Sequence, residues 1–305
     1  LEDAMTAIPY GDLYDENGNY TTYPVEGDTN YINLLINNKS NYRGQGQNTK
    51  VYINPYIKIT PFKGFSWESR INGTLTHSRS NSFTGQGSYN FIKSGGNVET
   101  DTKASTSQSN YYRYKWENIL TYNFNIGKEH NFVVTGVSSY EHGRSEGATA
   151  SGIGILNNSY LWNNLDNAVT RQSSSSYSMS KRMGWMGRIN YSYLGRYLAS
   201  VSVRHDGDSR LAKDEKWQTF PAFSLGWRIS DEKFMESTKN WLDNLKLRVG
   251  YGETGSTSNI SPYASTSKIE QSYLTIGGEK ITTYGYSKEV ANKKLTWERS
   301  KSWNI

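Results

Sequence analysis

Apolar and polar residues alternate, with few exceptions, along residues 111–126, which read YYRYKWENILTYNFNI. Because successive side chains of a β-strand project to opposite faces, this alternation predicts a strand with one apolar and one charged face. The strand is well over ten residues long, about twice the usual five or six. Strands of this length with two contrasting faces are typical of tilted strands that cross a membrane.

The same alternation recurs along the chain, and charged residues keep to one phase each time. It is found in residues 51–59, 65–75, 182–193, 197–204, 223–229 and 245–251. Together with 111–126, the stretch between residues 131 and 143 and the C-terminal candidate, this gives about nine candidate strands. A single Lys or Arg on a lipid-facing side costs about 2–4 kcal/mol at mid-membrane, so a bilayer would enforce such segregation. A soluble β-sandwich alternates in the same way, and the periodicity alone leaves both classes open.

The lengths of the predicted connections alternate, and this favours the membrane class. Tight connections fall at 60–64, 127–131 and 194–196, and long polar ones fall at 79–110, 143–180 and 254–292. Short turns on one side and long loops on the other are typical of an outer-membrane barrel. The connection 207–216 is shorter than the other loops, and 230–244 is longer than the other turns. The latter reads as a helix over residues 233–241 with Ser230 as its N-cap.

Composition narrows the function classes. Aromatic residues make up 14% of the chain, with 24 Tyr and 9 Trp, and many stand at predicted strand ends, where the aromatic belts of membrane barrels lie. Mean hydropathy is −0.76, and no apolar run approaches the length of a membrane-spanning helix. The chain has no cysteine, which excludes thiol catalysis and disulfides, and its net charge of +6 is spread out, which argues against nucleic-acid binding.

The sequence offers no catalytic constellation, so we predict that the protein is not an enzyme and uses no cofactor. Its four histidines are far apart, which argues against a metal site. A group of carboxylates in one connection, Asp206, Asp208, Asp214 and Glu215, could hold calcium. Solvated loop carboxylates are the favoured interpretation, because the spacing of an EF-hand is absent.

The predicted long loops carry aromatic and amide side chains suited to a sugar or a partner protein. Aromatic rings stack on the apolar faces of sugars, and amides bind hydroxyl groups. The candidate ligand-binding residues are Tyr89, Tyr160, Trp162, Asn163 and Tyr263. The alternative, that these side chains pack loop against loop, is equally open.

The second half of the chain resembles a known family. The segments that carry the resemblance are NYSYLGRYLASVSVRHDGDSRL from Asn190, WQTFP from Trp217, GWRISDE from Gly226, WLDNLKLR from Trp241 with Tyr251, Gly252 and Gly255 after it, and LTWE from Leu295. In order and spacing they are similar to the barrel of SusC/RagA-type TonB-dependent outer-membrane transporters. The resemblance covers residues 181–305, and the earlier part agrees in layout more than in wording.

The resemblance implies an all-β antiparallel barrel of about 22 strands with an internal plug, in the outer membrane of a Gram-negative, Bacteroidetes-type cell. Residues 1–305 would be one segment of that barrel, with 1–49 an outer loop and strand approach, and with the plug and both barrel ends lying outside the chain. It implies import of oligosaccharide or peptide, driven through the TonB complex and captured with a SusD-like lipoprotein.

The polar phase of the strands would then face the plug or the transit path. The residues expected there are Arg113, Lys115, Glu117, Arg188, Arg204, Arg228 and Arg248. The alternative to the transporter is a soluble or surface-exposed glycan-binding β-sandwich.

Overall fold

The structure, a computed structural model, describes residues 10–267, 269–287 and 291–305. The strands within these ranges are β1 (Tyr42–Ile53), β2 (Tyr56–Ile59), β3 (Phe65–Thr84), β4 (Lys103–Ile126), β5 (His130–Ile155), β6 (Ala168–Tyr193), β7 (Tyr197–Asp208), β8 (Trp217–Arg228), β9 (Lys246–Ser256), β10 (Ile269–Ile276), β11 (Glu279–Tyr286) and β12 (Glu298–Asn304). The helices there are short: α1 (Tyr89–Lys93), α2 (Val98–Asp101) and 3₁₀ helices at Leu34–Ile36, Asn158–Tyr160, Leu165–Asn167, Ile229–Asp231 and Lys233–Thr238. Within these ranges no helix is both long and apolar enough to cross a membrane.

Ten strands form one sheet in the order β1-β3-β4-β5-β6-β7-β8-β9-β12, with β2 also paired to β3. The pairings from β6 to β9 and on to β12 are antiparallel. Strands β10 and β11 form a separate hairpin. The all-β antiparallel prediction is therefore confirmed.

The chain divides into two compact units. The first unit comprises the described chain up to Val51, Leu75–Tyr112 and Ser145–Tyr177, and the second comprises Tyr52–Thr74, Arg113–Arg144 and Ser178–Ile305. Strands β1 and β3 to β6 contribute residues to both.

In the second unit the alternation predicted from the sequence is present, and the apolar face of the sheet is uncovered. Val201 lies directly opposite Phe223, and Ala199 lies opposite Leu225. Val201 is 56% exposed and Leu225 is 61% exposed, although both belong to the apolar phase. A β-sandwich would bury this face against a second sheet. The sandwich alternative is wrong, because this face has no second sheet packed on it within the described residues.

Aromatic rings form a continuous belt across the second unit beside the tight turns. Neighbouring rings stand 4.8 to 6.5 Å apart between centroids. This turn-side belt consists of Phe62, Phe65, Tyr122, Phe124, His130, Phe132, Tyr191, Tyr193 and Tyr197. Belts of this kind mark the level at which a barrel wall meets the polar headgroups.

A second set of rings, the loop-side belt, lies further along the same strands. It consists of Tyr114, Tyr140, His142, Trp185, His205 and Trp217. In each of four strands the two belts are eight residues apart, in the pairs Tyr114 and Tyr122, Phe132 and Tyr140, Trp185 and Tyr193, and Tyr197 and His205. Eight residues of strand extend about 26 Å. At a tilt of about 40° this gives about 20 Å of apolar height, close to the band of about 25 Å found in outer-membrane barrels.

Two polar residues on the apolar face are satisfied by tryptophans of the neighbouring strand. Trp67 Nε1 donates to Asn118 Oδ1 at 3.2 Å, and Trp116 Nε1 donates to Ser69 Oγ at 2.9 Å. An unpaired polar group in hydrocarbon would cost several kcal/mol. The indoles offset that cost for Asn118 and Ser69.

The tight turns predicted from the sequence lie side by side. Leu194 N donates to Glu129 O at 2.8 Å, which joins the β6–β7 turn to the β4–β5 turn. Leu194 and Gly195 have φ values of +50° and +69°, as a two-residue hairpin turn with left-handed geometry requires. These turns are confirmed.

Several predicted boundaries were wrong. The segments 79–110 and 143–180 were expected as long loops, but the first is partly strand and the second mostly strand. Strand β3 continues to Thr84, β4 begins at Lys103, β5 continues to Ile155 and β6 begins at Ala168. Ladder hydrogen bonds need no apolar alternation, so these Ser- and Thr-rich strand ends gave no periodic signal. The segment 1–49 stays a prediction as an outer loop and strand approach: strand β1 begins at Tyr42 within it, and residues 1–9 lie outside the described residues.

The helix predicted over 233–241 with Ser230 as its N-cap was also wrong. A 3₁₀ helix runs only from Lys233 to Thr238, its N-cap residue is Glu232, and Ser230 lies within the preceding 3₁₀ helix. The side chain of Glu232 makes no capping hydrogen bond. It accepts hydrogen bonds from Arg196 and Trp227 instead, which fix the end of β8.

Candidate functional site

The polar face of the second unit forms a charged cleft of about 590 Å³. Four of the residues predicted to face the lumen line it: Arg113, Lys115, Arg188 and Arg204. The alternation places them there, since Arg188 pairs with Ser202 and Arg204 with Met186 across β6 and β7. The cleft also contains Glu141, Arg182 and Asp206.

Most of the cations in and around this cleft are neutralised within the sheet. Arg113 Nη2 lies 2.7 Å from Glu141 Oε2, and Lys115 Nζ lies 2.7 Å from Glu117 Oε1. Arg204 Nε lies 2.5 Å from Asp206 Oδ2. Arg228 makes only a long contact, at 3.8 Å, with Asp231 beside the turn after β8.

Arg188 and Arg248 differ from these cations. Within the described part of the chain, neither side chain makes a hydrogen bond or an ion pair. Both line a second cleft on the polar face, of about 410 Å³. The floor between them is made of small residues: Ser200, Ser202, Ala222, Ser224, Gly250 and Gly252. Small side chains let another backbone approach closely, and the two guanidinium groups supply positive charge there.

At the other end of the polar face, a buried carboxylate ties together the β7–β8 and β9–β10 connections. The side chain of Asp208 is fully buried. Its Oδ2 lies 2.7 Å from Arg182 Nε, from Arg210 Nη2 and from Thr257 Oγ1. Arg210 Nη1 also donates to the Ile260 carbonyl oxygen at 3.2 Å. The arrangement satisfies a buried charge from three chain segments, as burial of an ionised carboxylate requires.

These contacts change the interpretation of the carboxylates in this connection. Asp208 is neither solvated nor free for a cation, because its partners are arginines, and Asp206 is held by Arg204. Among the described residues, no three His, Asp or Glu side chains are grouped so that they could hold a metal ion. Asp214 and Glu215 remain exposed in the loop.

The first unit has a small apolar core of its own. Phe83, Ala104, Ile155, Trp162 and Ala168 are buried together there, with Leu161 and Leu165 packed against them. Beside this core lies a cavity of about 270 Å³. The residues that line it are Arg43, Gln45, Gln47, Arg79, Asn81, Leu161, Trp162 and Asn163.

The five loop residues predicted to bind ligand have different surroundings. Trp162 and Asn163 line the cavity of the first unit, but Trp162 is only 7% exposed. Tyr89 is the first residue of α1, where its N–H donates to Asn37 Oδ1 at 2.8 Å, and Tyr160 ends a 3₁₀ helix with its side chain exposed. Tyr263 belongs to the second unit. For Trp162 the packing alternative is the better description.

Arg43 and Arg79 are two cavity residues that were not predicted from the sequence. They carry no motif, and Arg43 lies in the segment expected to be an outer loop and strand approach. A usable signal was present: Arg43, Gln45 and Gln47 recur at every second position, as polar residues on one face of a strand do.

Comparison with known proteins agrees with this architecture. The family model described as TonB dependent receptor-like, beta-barrel matches residues 4–305. TonB-dependent receptor P26 of Formosa agariphila is 27% identical over 308 residues, which span 99% of this chain and 30% of that protein. TonB-dependent receptor SusC of Bacteroides thetaiotaomicron is 37% identical over 142 residues, 45% of this chain and 14% of SusC.

Among solved structures, the RagAB peptide transporter superposes on 95% of this chain and 31% of the matched chain, with a TM-score of 0.79 and 19% sequence identity. At that identity the likeness concerns the fold. The chain thus spans about a third of the length of proteins that share its architecture.

Proposed function

The chain belongs to the family of TonB-dependent receptor-like β-barrels, and from that premise we propose that it forms part of the wall of a transporter that imports oligosaccharides. Members of this family are outer-membrane proteins, and they are transporters rather than enzymes. The observation that carries the proposal is the exposed apolar face between two aromatic belts, opposite a charged polar face. Such a sheet suits a wall between lipid and a water-filled interior.

The proposed partners are a SusD-like surface lipoprotein, which captures the substrate, and the TonB complex, which supplies energy. The similarity to SusC supports the first, and the family supports the second. Oligosaccharide is the favoured substrate class because of the SusC similarity. Peptide is the second candidate, favoured by the likeness of the fold to the RagAB peptide transporter.

The lumen-facing residues fall into two functional groups in this proposal. Arg113 joins neighbouring strands through its ion pair with Glu141, whereas Lys115 pairs with Glu117, and Arg204 with Asp206, along their own strands. Arg188 and Arg248 contact the plug, because their charge has no partner in the described wall and the floor between them admits a backbone. Arg228, which is weakly paired, borders the same polar face at its turn end.

The proposed ligand contacts outside the lumen are the exposed side chains among the predicted loop residues. Tyr160, Asn163 and Tyr263 are exposed and can offer rings and an amide to a sugar, and Tyr89 is partly exposed. Trp162 does not contact the ligand in this proposal, because its ring is packed in the core of the first unit.

The test is uptake of labelled oligosaccharides by cells that carry the full-length protein with its partner lipoprotein. Uptake that disappears when the proton-motive force is collapsed or TonB is deleted is the expected result. TonB-dependent uptake of peptides without uptake of oligosaccharides would mean that the substrate class is peptide. Absence of any TonB-dependent uptake across both libraries, with the protein correctly inserted in the outer membrane, would overturn the proposal.

A further inference from the structure

The cavity of about 270 Å³ in the first unit has the geometry of a small polar binding site. On β1, the side chains of Arg43, Gln45 and Gln47 alternate with their neighbours and project to one face. On β3, Arg79 and Asn81 project to the same cavity. The cavity therefore lies on two hydrogen-bonded strands, which fix the backbones of these residues, while the side chains of Arg43, Gln45, Gln47 and Arg79 are exposed.

The indole of Trp162 positions Arg43 and does not serve as a stacking surface for ligand. The guanidinium carbon of Arg43 lies over the Trp162 ring, 5.6 Å from its centroid, within the range of a cation–π contact. The other surroundings of the ring are core residues such as Phe83. With its ring covered in this way, Trp162 holds the guanidinium at the cavity while the N–H groups of Arg43 remain available.

The charge in this cavity is not balanced. Arg43 and Arg79 make no hydrogen bond or ion pair with any described residue, and the residues that line the cavity include no Asp or Glu. In the second unit, by contrast, Arg113 and Arg182 each have a carboxylate oxygen at 2.7 Å. Two unpartnered guanidinium groups beside one small cavity are suited to a planar anion, which each can bind with two parallel hydrogen bonds.

We propose that this cavity binds the carboxylate of an acidic sugar unit within an oligosaccharide. Arg43 and Arg79 bind the carboxylate, and the amides of Gln45, Gln47 and Asn163 bind the sugar hydroxyls. The volume is just below the 300–1,000 Å³ of pockets that enclose a drug-sized ligand, so the cavity takes one ring of the chain. This inference rests on the proposed function and names the chemical class of its substrate.

The experiment measures binding to the purified full-length protein by titration calorimetry. The probes are tetragalacturonate, which carries a carboxylate on each sugar, and maltotetraose, a neutral oligosaccharide of equal length. The variant Arg43→Gln/Arg79→Gln should bind tetragalacturonate at least about tenfold more weakly than the wild type. Arg171→Gln, which removes an exposed arginine of the same unit outside the cavity, should bind it like the wild type.

Two results would overturn the inference: equal affinity of the wild type for the two oligosaccharides, or unchanged tetragalacturonate affinity in the double variant. A third probe, tetraglutamate, distinguishes the source of the carboxylate. Binding of tetraglutamate that needs Arg43 and Arg79, without binding of tetragalacturonate, would assign the cavity to acidic peptides and reject the sugar. TonB-dependent uptake of a neutral oligosaccharide by a wild type that binds no tetragalacturonate would reject this inference and leave the proposed function standing.

Discussion

The indole Nε1 of Trp227 donates a hydrogen bond to Oε1 of Glu232 at 3.0 Å. Trp227 lies on the apolar face near the end of β8, and Glu232 lies in the connection that follows. Glu232 also accepts from Arg196 Nη1 at 2.7 Å, so the carboxylate joins the β6–β7 turn to the β8–β9 connection. The GWRISDE segment thus has a structural reason for its Trp and its Glu: together they fix the turn side of the wall.

Glu232→Gln should lower the thermal stability of the full-length protein at neutral pH. Hydrogen bonds from Tyr197, Trp227 and Arg196 favour the carboxylate and hold the pKa of Glu232 below its ordinary value of 4.5. A lowered pKa means that this stabilisation is complete above 4.5 and is lost as the pH falls through the folded-state pKa. The difference in melting temperature between wild type and variant should therefore shrink in acid. The exposed Glu236→Gln is the control, and a difference that does not change with pH would contradict the assignment.

Asp208→Ala should destabilise the protein by about 3–5 kcal/mol, because it leaves Arg182 and Arg210 without the buried carboxylate that they share. Chemical unfolding of the full-length protein in detergent measures this free energy. Asp214→Ala, an exposed aspartate in the same connection, should change it by less than about 0.5 kcal/mol. Equal effects of the two substitutions would mean that the buried carboxylate of Asp208 contributes no more to the free energy of unfolding than the exposed one of Asp214.

Val201→Lys should cost about 2–4 kcal/mol of folding free energy in lipid, because Val201 stands on the apolar face midway between the two belts. Ser202→Lys places the same charge one residue further, on the polar face, and should cost less folding free energy in lipid, even though it fills part of the small-residue floor beside Arg188. The folded fraction after refolding into vesicles, measured by heat-modified electrophoretic mobility, reports the effect of both substitutions. If Ser202→Lys were the more damaging change, the two faces would have been assigned the wrong way round.

Trp162→Ala should destabilise the first unit by about 3–5 kcal/mol, since it removes a large side chain from a core with Phe83 and Ile155. Trp162→Phe keeps most of the packing and should cost less. Limited proteolysis within residues 156–167 would detect the loosened segment. Identical cleavage of the alanine variant and the wild type would show that this core does not hold the segment.

The contact with a plug that we propose for Arg188 and Arg248 predicts that Arg188→Gln/Arg248→Gln weakens plug docking, because both side chains lack partners in the described wall. We expect the plug of the full-length protein to unfold at a lower urea concentration than in the wild type. Arg113→Gln, whose charge is already matched by Glu141, should have the smaller effect on the plug. The assignment fails if Arg113→Gln loosens the plug and the double variant does not.

The membrane-crossing strands could be predicted from the sequence because lipid imposes a two-residue period on residues such as Val201, Ser202 and Val203. The strand ends beyond the loop-side belt could not be predicted. They are rich in Ser and Thr and pair through backbone hydrogen bonds, so their sequence shows no apolar period. The ion pairs could not be predicted from the sequence either. Strand register decides that Arg113 pairs with Glu141 while Arg188 has no carboxylate partner, and residue spacing does not give that register.

Trp162 shows a further limit of reading function from residue type. An aromatic residue in a polar connection was compatible with a sugar platform and with packing between loops, and the fold places it in a local core and beside Arg43. Arg43 lies in the segment expected to be an outer loop and strand approach, and its side chain is exposed. The first unit therefore buries one of these side chains and leaves the other at the surface, a difference that residue type alone does not give.

The constant eight-residue spacing between the belts also bears on where this protein can reside. Matched anchors in four strands set one hydrophobic thickness of about 20 Å, and a wall of paired strands cannot shorten or lengthen it by sliding one strand. A bilayer thicker than this must be compressed around the wall, at a cost of a fraction of a kcal/mol for each ångström of mismatch. The wall therefore suits a thin bilayer, and the bacterial outer membrane is thinner than average.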